Sequence, residues 1–226
     1  NLRSLNLEGG EPSMMKEYDD YLQYLIDIGA SKNCKVSIVT NLTNINKQFY
    51  KRLEDFKEIG LCVSIDAHGT ANEFTRYPSK FKIIDRNLRW VAETPFGASI
   101  TIAFQVTTLF NIDKFLHWLY DIQQYFEQHG KKLQIRTQLV NYPTQLHVRH
   151  APFKLKQRCI QQIKQYQQSD KRLRSALLFE VRLLHILKQL QLPHETSQPF
   201  VDYVTKIANT RNLVLEDYLY DWSNLQ

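Results

Sequence analysis

The chain has 226 residues, 43% of them hydrophobic and 23% charged, with 7 Gly and 7 Pro. Those figures describe one globular domain able to bury a substantial core. The 12% aromatic content excludes disorder, and the low Gly and Pro exclude collagen-like or linker character. The formal charge is +6, but the basic residues are spread along the chain. The densest group, Lys154 to Arg174, has the spacing of a solvated helix face, so nucleic acid is not an expected partner.

Apolar periodicity gives a regular alternation. Leu5 and Leu7 belong to a strand ending at Glu8-Gly9-Gly10-Glu11-Pro12. A helix follows with Met15, Tyr18, Leu22 and Leu25 on one face, stopping around Gly29. Val36 to Val39 is a β-branched strand ending at Thr40-Asn41-Leu42-Thr43, followed by a short helix around Phe49, Leu53 and Phe56. Leu61 to Ile65 is a strand ending at Asp66-Ala67-His68-Gly69, and Ile83, Ile84, Leu88 and Val91 mark the next helix. Ile100 to Val106 is a strand, Phe115, Leu119, Ile122 and Phe126 a helix, and Leu133 to Val140 the fifth strand.

From Pro152 onward the pattern is helix only, at about 153–167, 171–191 and 197–208. Leu173, Leu177, Val181, Leu184 and Leu187 read as its apolar stripe, packing surface rather than a partner-binding face. Five strands alternating with helices predict a parallel α/β sheet, because parallel neighbours need helical crossovers. Five strands do not close an eight-stranded barrel. A partial (β/α) TIM-type barrel or open sheet, followed by a helical C-terminal region, is the expected fold.

Ligands of parallel α/β folds sit at the C-terminal ends of strands, and the informative residues cluster there. Two adjacent glycines let a backbone approach a ligand closely, although Gly9-Gly10-Glu11-Pro12 also suits a plain strand-to-helix turn. Alternation puts Cys62, Ser64 and Asp66 on one face and Val63 and Ile65 on the other. Ser64 also suits a small core position, Asp66 a loop cap, and Arg76 an ordinary surface cation.

Cys34, Cys62 and Cys159 lie 28 and 97 residues apart. That spacing is no disulfide framework, zinc ribbon or iron–sulfur motif, and it predicts reduced thiols with no metal. His147 and His150 stand three apart without a third ligand, and His68 is a loop histidine. There is no P-loop, nucleophile elbow or dinucleotide glycine motif. No signal peptide and no apolar run of the ~20 residues a span needs are present, so a soluble cytoplasmic protein without membrane contacts is expected.

The combination of Gly9-Gly10-Glu11-Pro12, Thr40-Asn41 and Ser64-Ile65-Asp66, followed by Arg76, resembles the radical S-adenosylmethionine (radical SAM) superfamily. Asn72-Glu73-Phe74-Thr75-Arg76-Tyr77-Pro78, with Asn87 and the Phe200 to Arg211 segment, resembles members carrying a twitch domain. The resemblance implies a partial radical SAM barrel over 1–145 and a helical extension over 146–226. It implies that Gly9, Gly10 and Glu11 cradle the SAM ammonium and that Thr40 and Asn41 line the same cavity. Ser64 and Arg76 would reach the carboxylate or ribose, with Asp66 beside them, and the fifth strand would lie near the adenine.

It further implies reductive cleavage of SAM by a [4Fe–4S] cluster to a 5′-deoxyadenosyl radical that abstracts hydrogen from a substrate. A peptide or protein substrate and an electron donor such as flavodoxin or ferredoxin would be the partners. The family's cluster loop, Cys-x-x-x-Cys-x-x-Cys, lies upstream of the Gly-Gly-Glu strand, and none of the three cysteines replaces it. The chain opens in strand-like alternation without Met, which reads as a fragment lacking its first strand and cluster loop, inactive alone. A degenerate SAM-fold binding or scaffold protein, and an unrelated α/β barrel enzyme, remain the rival readings.

Overall fold

A computed structural model describes residues 2–170, 177–193 and 195–225. The alternation begins β1 (Ser4–Leu7), α1 (Lys16–Asp27), β2 (Lys35–Thr40), α2 (Lys47–Leu53) and β3 (Glu58–Ser64). It continues α3 (Thr70–Thr75), α4 (Phe81–Glu93), β4 (Gly97–Phe104), α5 (Val106–Leu109), α6 (Ile112–Gln128) and β5 (Leu133–Leu139). Then come α7 (Phe153–Gln168), α8 (Leu177–Gln191), α9 (Gln198–Arg211), α10 (Leu215–Tyr218) and α11 (Trp222–Leu225). Short 3-10 turns occupy Pro12–Met14, Ala30–Asn33, Thr144–Leu146 and Val148–His150.

The strands form one sheet in the order β1-β2-β3-β4-β5. β1 to β4 pair in parallel, with Leu7 opposite Ile38, Thr40 opposite Val63, and Ser64 opposite Thr101. Just past β5, Val140 N donates to Phe104 O at 2.9 Å. The expected α/β class, with a parallel sheet and a helical C-terminal region, is what the chain adopts. Helical crossovers return each strand beside its predecessor.

The described chain divides into two compact units. The first comprises the chain up to Ile65 with Lys82–Thr101 and Gln123–Gln134. The second comprises Asp66–Phe81, Ile102–Ile122 and the chain from Ile135 onward. Near residue 145, where a boundary was expected, the element type changes, and from there the described residues form only helices and turns. The second unit takes in 66–81 and 102–122 as well.

In the first unit the sheet has two unlike faces. Val36, Ile38, Ile59, Leu61, Val63 and Ile100 are buried on one, whereas Val39, Cys62, Ser64 and Thr101 on the other are half-exposed and Ser37 is exposed. Parallel sheets are ordinarily covered on both faces. A half-open face of small, mostly polar side chains is therefore where a ligand has room. Local signals fix the helices around it. Glu17 and Asp19 favour the N-terminus of α1, which bears the buried Leu22 and Leu25 and ends before Gly29 at φ 72°. Asn46 caps α2 by accepting from Phe49 N at 3.2 Å.

Two sequence expectations need correction. The helix around Phe49 stops at Leu53, and Phe56 stays buried beyond it in a turn. On α8 the buried residues are Phe179, Leu183, Ile186, Leu187 and Leu190, while Val181 and Leu184 face water at 53% and 47% exposure. Leu173 and the side chain of Leu177 lie outside the described residues. This helix carries Leu, Ile, Val or Phe on nearly every side, and packing keeps Leu187 of the expected stripe in the core while turning Val181 and Leu184 outward.

Candidate functional site

At the end of β1 the chain turns through Gly9 at φ 89° and Gly10 at φ 56°. Only glycine adopts such angles without strain. No atom lies within 4 Å of where a Cβ on Gly9 would stand, so this turn faces open space. Glu11 then reaches toward the end of β2. Its Oε1 accepts from Thr40 Oγ1 at 2.8 Å and from Ser13 Oγ at 3.1 Å, and its Oε2 accepts from Asn41 N at 2.9 Å. Thr40 Oγ1 also accepts from Leu42 N, and Asn41 Oδ1 takes Thr43 N and Thr43 Oγ1, so the Thr40-Asn41 turn is held by side chains throughout.

Thr40 lies opposite Val63 in the sheet, Asn41 follows directly on β2, and Ser64 ends β3. Ser64 is half-exposed, on the open face with Cys62, as alternation predicts. Tyr50 lies near this corner, within the electrostatic reach of Glu11. It is 2% exposed, and burial together with the Glu11 charge pushes its phenol well above the usual tyrosine range. Nothing in the sequence marks it, because a Tyr next to Phe49 looks like ordinary core.

In the second unit Asp66 is buried at 3% exposure. Arg76 closes on it: Nη2 donates to Oδ1 at 3.0 Å, and Nε lies 2.9 Å from Oδ2. Ala103 N also donates to Oδ1 at 2.8 Å. Burial raises the Asp66 pKa, and Arg76 and the Ala103 amide pull it back down. Arg76 is thus a partnered cation and not a free one. Asn72, fully buried, accepts from Asp66 N at 3.0 Å and Ala67 N at 3.3 Å and so fixes the turn that presents Asp66.

A cavity of about 260 Å³ adjoins this pair, lined also by Gln105, Thr107, Tyr203 and Arg211. Arg211 Nη1 donates to Phe74 O at 2.8 Å, and its guanidinium lies over the Tyr77 ring. The Phe200 to Arg211 segment therefore matters through Arg211, which the pattern alone did not single out.

The remaining candidates resolve simply. His147 Nδ1 accepts from Arg149 N at 3.1 Å and lies 3.3 Å from Arg149 Nε, so that nitrogen is engaged within the chain. His68 stacks near Phe81. The three cysteines are free thiols, with Cys34 and Cys159 buried and Cys62 Sγ 3.1 Å from Thr101 Oγ1. No group of three or more metal-ligating side chains exists among the described residues. Among them also, no helix is long and apolar enough to cross a membrane.

No family model matches this chain, and no curated protein matches it. Among solved structures it is similar to a domain of pyruvate-formate lyase-activating enzyme from Bacteroides vulgatus ATCC 8482. The identity is 15% and the TM-score 0.38, over 58% of this chain and 97% of that one.

Proposed function

We propose that this chain is the S-adenosylmethionine-binding part of a radical SAM protein. The observation that carries the reading is the Glu11 carboxylate, which ties the Gly-Gly-Glu-Pro turn to both Thr40 and Asn41. Motif segments that the resemblance groups by sequence thereby occupy the C-terminal ends of adjacent parallel strands, with Ser64 on the next strand.

The residues present fit the methionyl end of SAM. The Gly9-Gly10 turn offers backbone carbonyls with open space beside it, suited to an ammonium group. Ser64 adds a hydroxyl without filling that space. Glu11 acts as a positioning residue, because its oxygens already hold Thr40, Ser13 and Asn41. When bound, SAM supplies the carbon radical chemistry of this superfamily, and the chain's part is to hold and orient it.

A [4Fe–4S] cluster does not fit the described cysteines. Cys34 and Cys159 are closed off from any ligand, and Cys62 faces Thr101. In this reading the cluster ligands lie outside these residues, on the Cys-x-x-x-Cys-x-x-Cys loop that the superfamily carries. Hydrogen abstraction from a peptide substrate, with a flavodoxin or ferredoxin as electron donor, belongs to the same proposal. The cysteine placement also favours a second reading, a SAM-fold protein that binds without catalysis.

Calorimetric titration of SAM into the reconstituted protein that carries the Cys-x-x-x-Cys-x-x-Cys loop upstream of these residues tests the proposal. Saturable binding is expected, weakened on the order of 10-fold in Glu11→Ala and less in Ser64→Ala. For Arg76, paired with Asp66, the resemblance predicts that Arg76→Ala weakens SAM binding 10- to 100-fold, by about 1.5–3 kcal/mol. Absence of SAM binding by that reconstituted protein, with its fold intact, overturns the reading. Binding by a whole protein that yields no 5′-deoxyadenosine with dithionite selects the non-catalytic alternative.

A further inference from the structure

The second unit holds a cavity of about 510 Å³ between the end of β5 and one face of α8. Its size suits a ligand somewhat larger than a free ion. Thr137 from β5, His147 and Arg149 from the turn at Val148–His150, and Arg182, His185 and Gln189 from α8 line it. Positions 182, 185 and 189 recur at helical spacing, so α8 turns a polar stripe toward the strand. Among the described residues, no Asp or Glu lines the cavity.

Several groups here are left without partners. Arg182 and His185 are solvent-exposed at the cavity rim, and no described side chain or carbonyl holds them there. Thr137 Oγ1 is buried with no hydrogen-bond partner. Close by, Lys156 is 2% exposed and its Nζ has no partner either. An unpaired buried hydroxyl costs free energy, and of these two groups only Thr137 lines the cavity, where a ligand oxygen could satisfy it.

The field is predominantly positive. Arg149, His150 and Lys156 all act to lower the His147 pKa, alongside burial, with Glu195 alone opposing them. Glu195 is shared between Arg149, at 3.5 Å, and His150, at 3.7 Å. Two guanidiniums facing a cavity without carboxylates suit a dianion with several acceptor oxygens, a phosphate better than a carboxylate. Because Arg149 engages His147 Nδ1, the neutral ring carries its proton on Nε2 and is a further donor. Leu139 and Ile186 supply an apolar floor for the remainder of the ligand.

We propose that this cavity binds a phosphate monoester of sugar or nucleoside size, held by Arg149 and Arg182 with Thr137 and His185 as further hydrogen-bond partners. The cavity shares no lining residue with Glu11 or Ser64, but it takes in Thr137, Gln138 and Leu139 of β5, the strand that the resemblance places near the SAM adenine, so competition by SAM is part of the test.

The test is calorimetric titration of glucose 6-phosphate and AMP, with glucose and adenosine as uncharged controls. At least one ester is expected to saturate below the millimolar range, and neither control to bind. Arg182→Ala should weaken binding about 10-fold or more, and Arg182→Lys should restore part of the loss. Lys188→Ala, which removes an exposed charge of α8 outside the cavity, should change affinity less than about 2-fold. The proposal is overturned if neither ester binds, or if Arg182→Ala and Lys188→Ala have equal effects. It is equally overturned if SAM displaces the ester, or if a short single-stranded RNA binds while both esters do not.

Discussion

Arg76 neutralises Asp66 from one side while the Ala103 amide holds it from the other. The pair makes a definite pH prediction. Burial sets the folded pKa of Asp66 above its unfolded value. Between those two values the folded state binds the proton more tightly, so this group's contribution to stability falls as pH rises. Arg76→Ala removes the compensating cation and should enlarge that loss. The variant should be destabilised by about 1–3 kcal/mol at neutral pH, less than a fully buried pair because Arg76 is partly exposed. Asp66→Asn in the same background should recover much of this. Urea midpoints at pH 4.5 and pH 7.5 check it; an equal loss at both would show that Asp66 does not carry the effect.

Asn72 is held to a structural role by two backbone amides. Asn72→Ala leaves Asp66 N and Ala67 N without their acceptor in a buried turn. The expected cost is about 2–4 kcal/mol. Amide exchange at residues 66 and 67 should accelerate before exchange in β3 does, and unchanged protection there would contradict the assignment.

For Glu11, Glu11→Gln keeps an acceptor for Asn41 N or Thr40 Oγ1 but not the full set, whereas Glu11→Ala keeps none. Losses of about 1 and about 2–3 kcal/mol are expected. Thermal denaturation gives the ranking. A glutamine variant as unstable as the alanine variant would mean that charge, and not the hydrogen bonds, holds the turn.

Lys131 closes the C-terminal end of α4. Its Nζ donates to the carbonyls of Val91 at 3.0 Å and Phe96 at 3.2 Å, and also to that of Thr94. The three carbonyls lie at the end of α4 and in the turn that leads to β4, so one ammonium ties that turn together. Lys131→Met should cost about 1–3 kcal/mol, and Lys131→Arg should retain part of the clamp. A methionine variant of wild-type stability would return Lys131 to the status of an ordinary surface lysine.

Strand positions and their sequential order were legible because period-2 and helical apolar patterns alternate cleanly up to β5. The Glu11 and Thr40 turns were legible as places, since glycines and a Pro mark the end of β1. Their joining was not, because 29 residues separate Glu11 from Thr40 and only the β1–β2 pairing brings them together. Arg76 looked like a free cation, since nothing local shows that Asp66 turns inward after β3 ends. On α8 the difficulty was an excess of signal: Leu183 and Leu184 are neighbours of equal hydrophobicity, and only packing decides which one is buried.

The thiols give the molecule two internal clocks. Cys34 is buried in the first unit and Cys159 in the second, and burial raises the pKa of both. A thiol reagent reaches either sulfur only when the surrounding structure opens, so each labelling rate reports the opening of its own unit. Mass spectrometry of the two labelled peptides across denaturant then separates one concerted unfolding event from two independent ones, without introducing any probe. Equal labelling free energies would describe a single cooperative molecule. Unequal ones would show which half of the chain yields first.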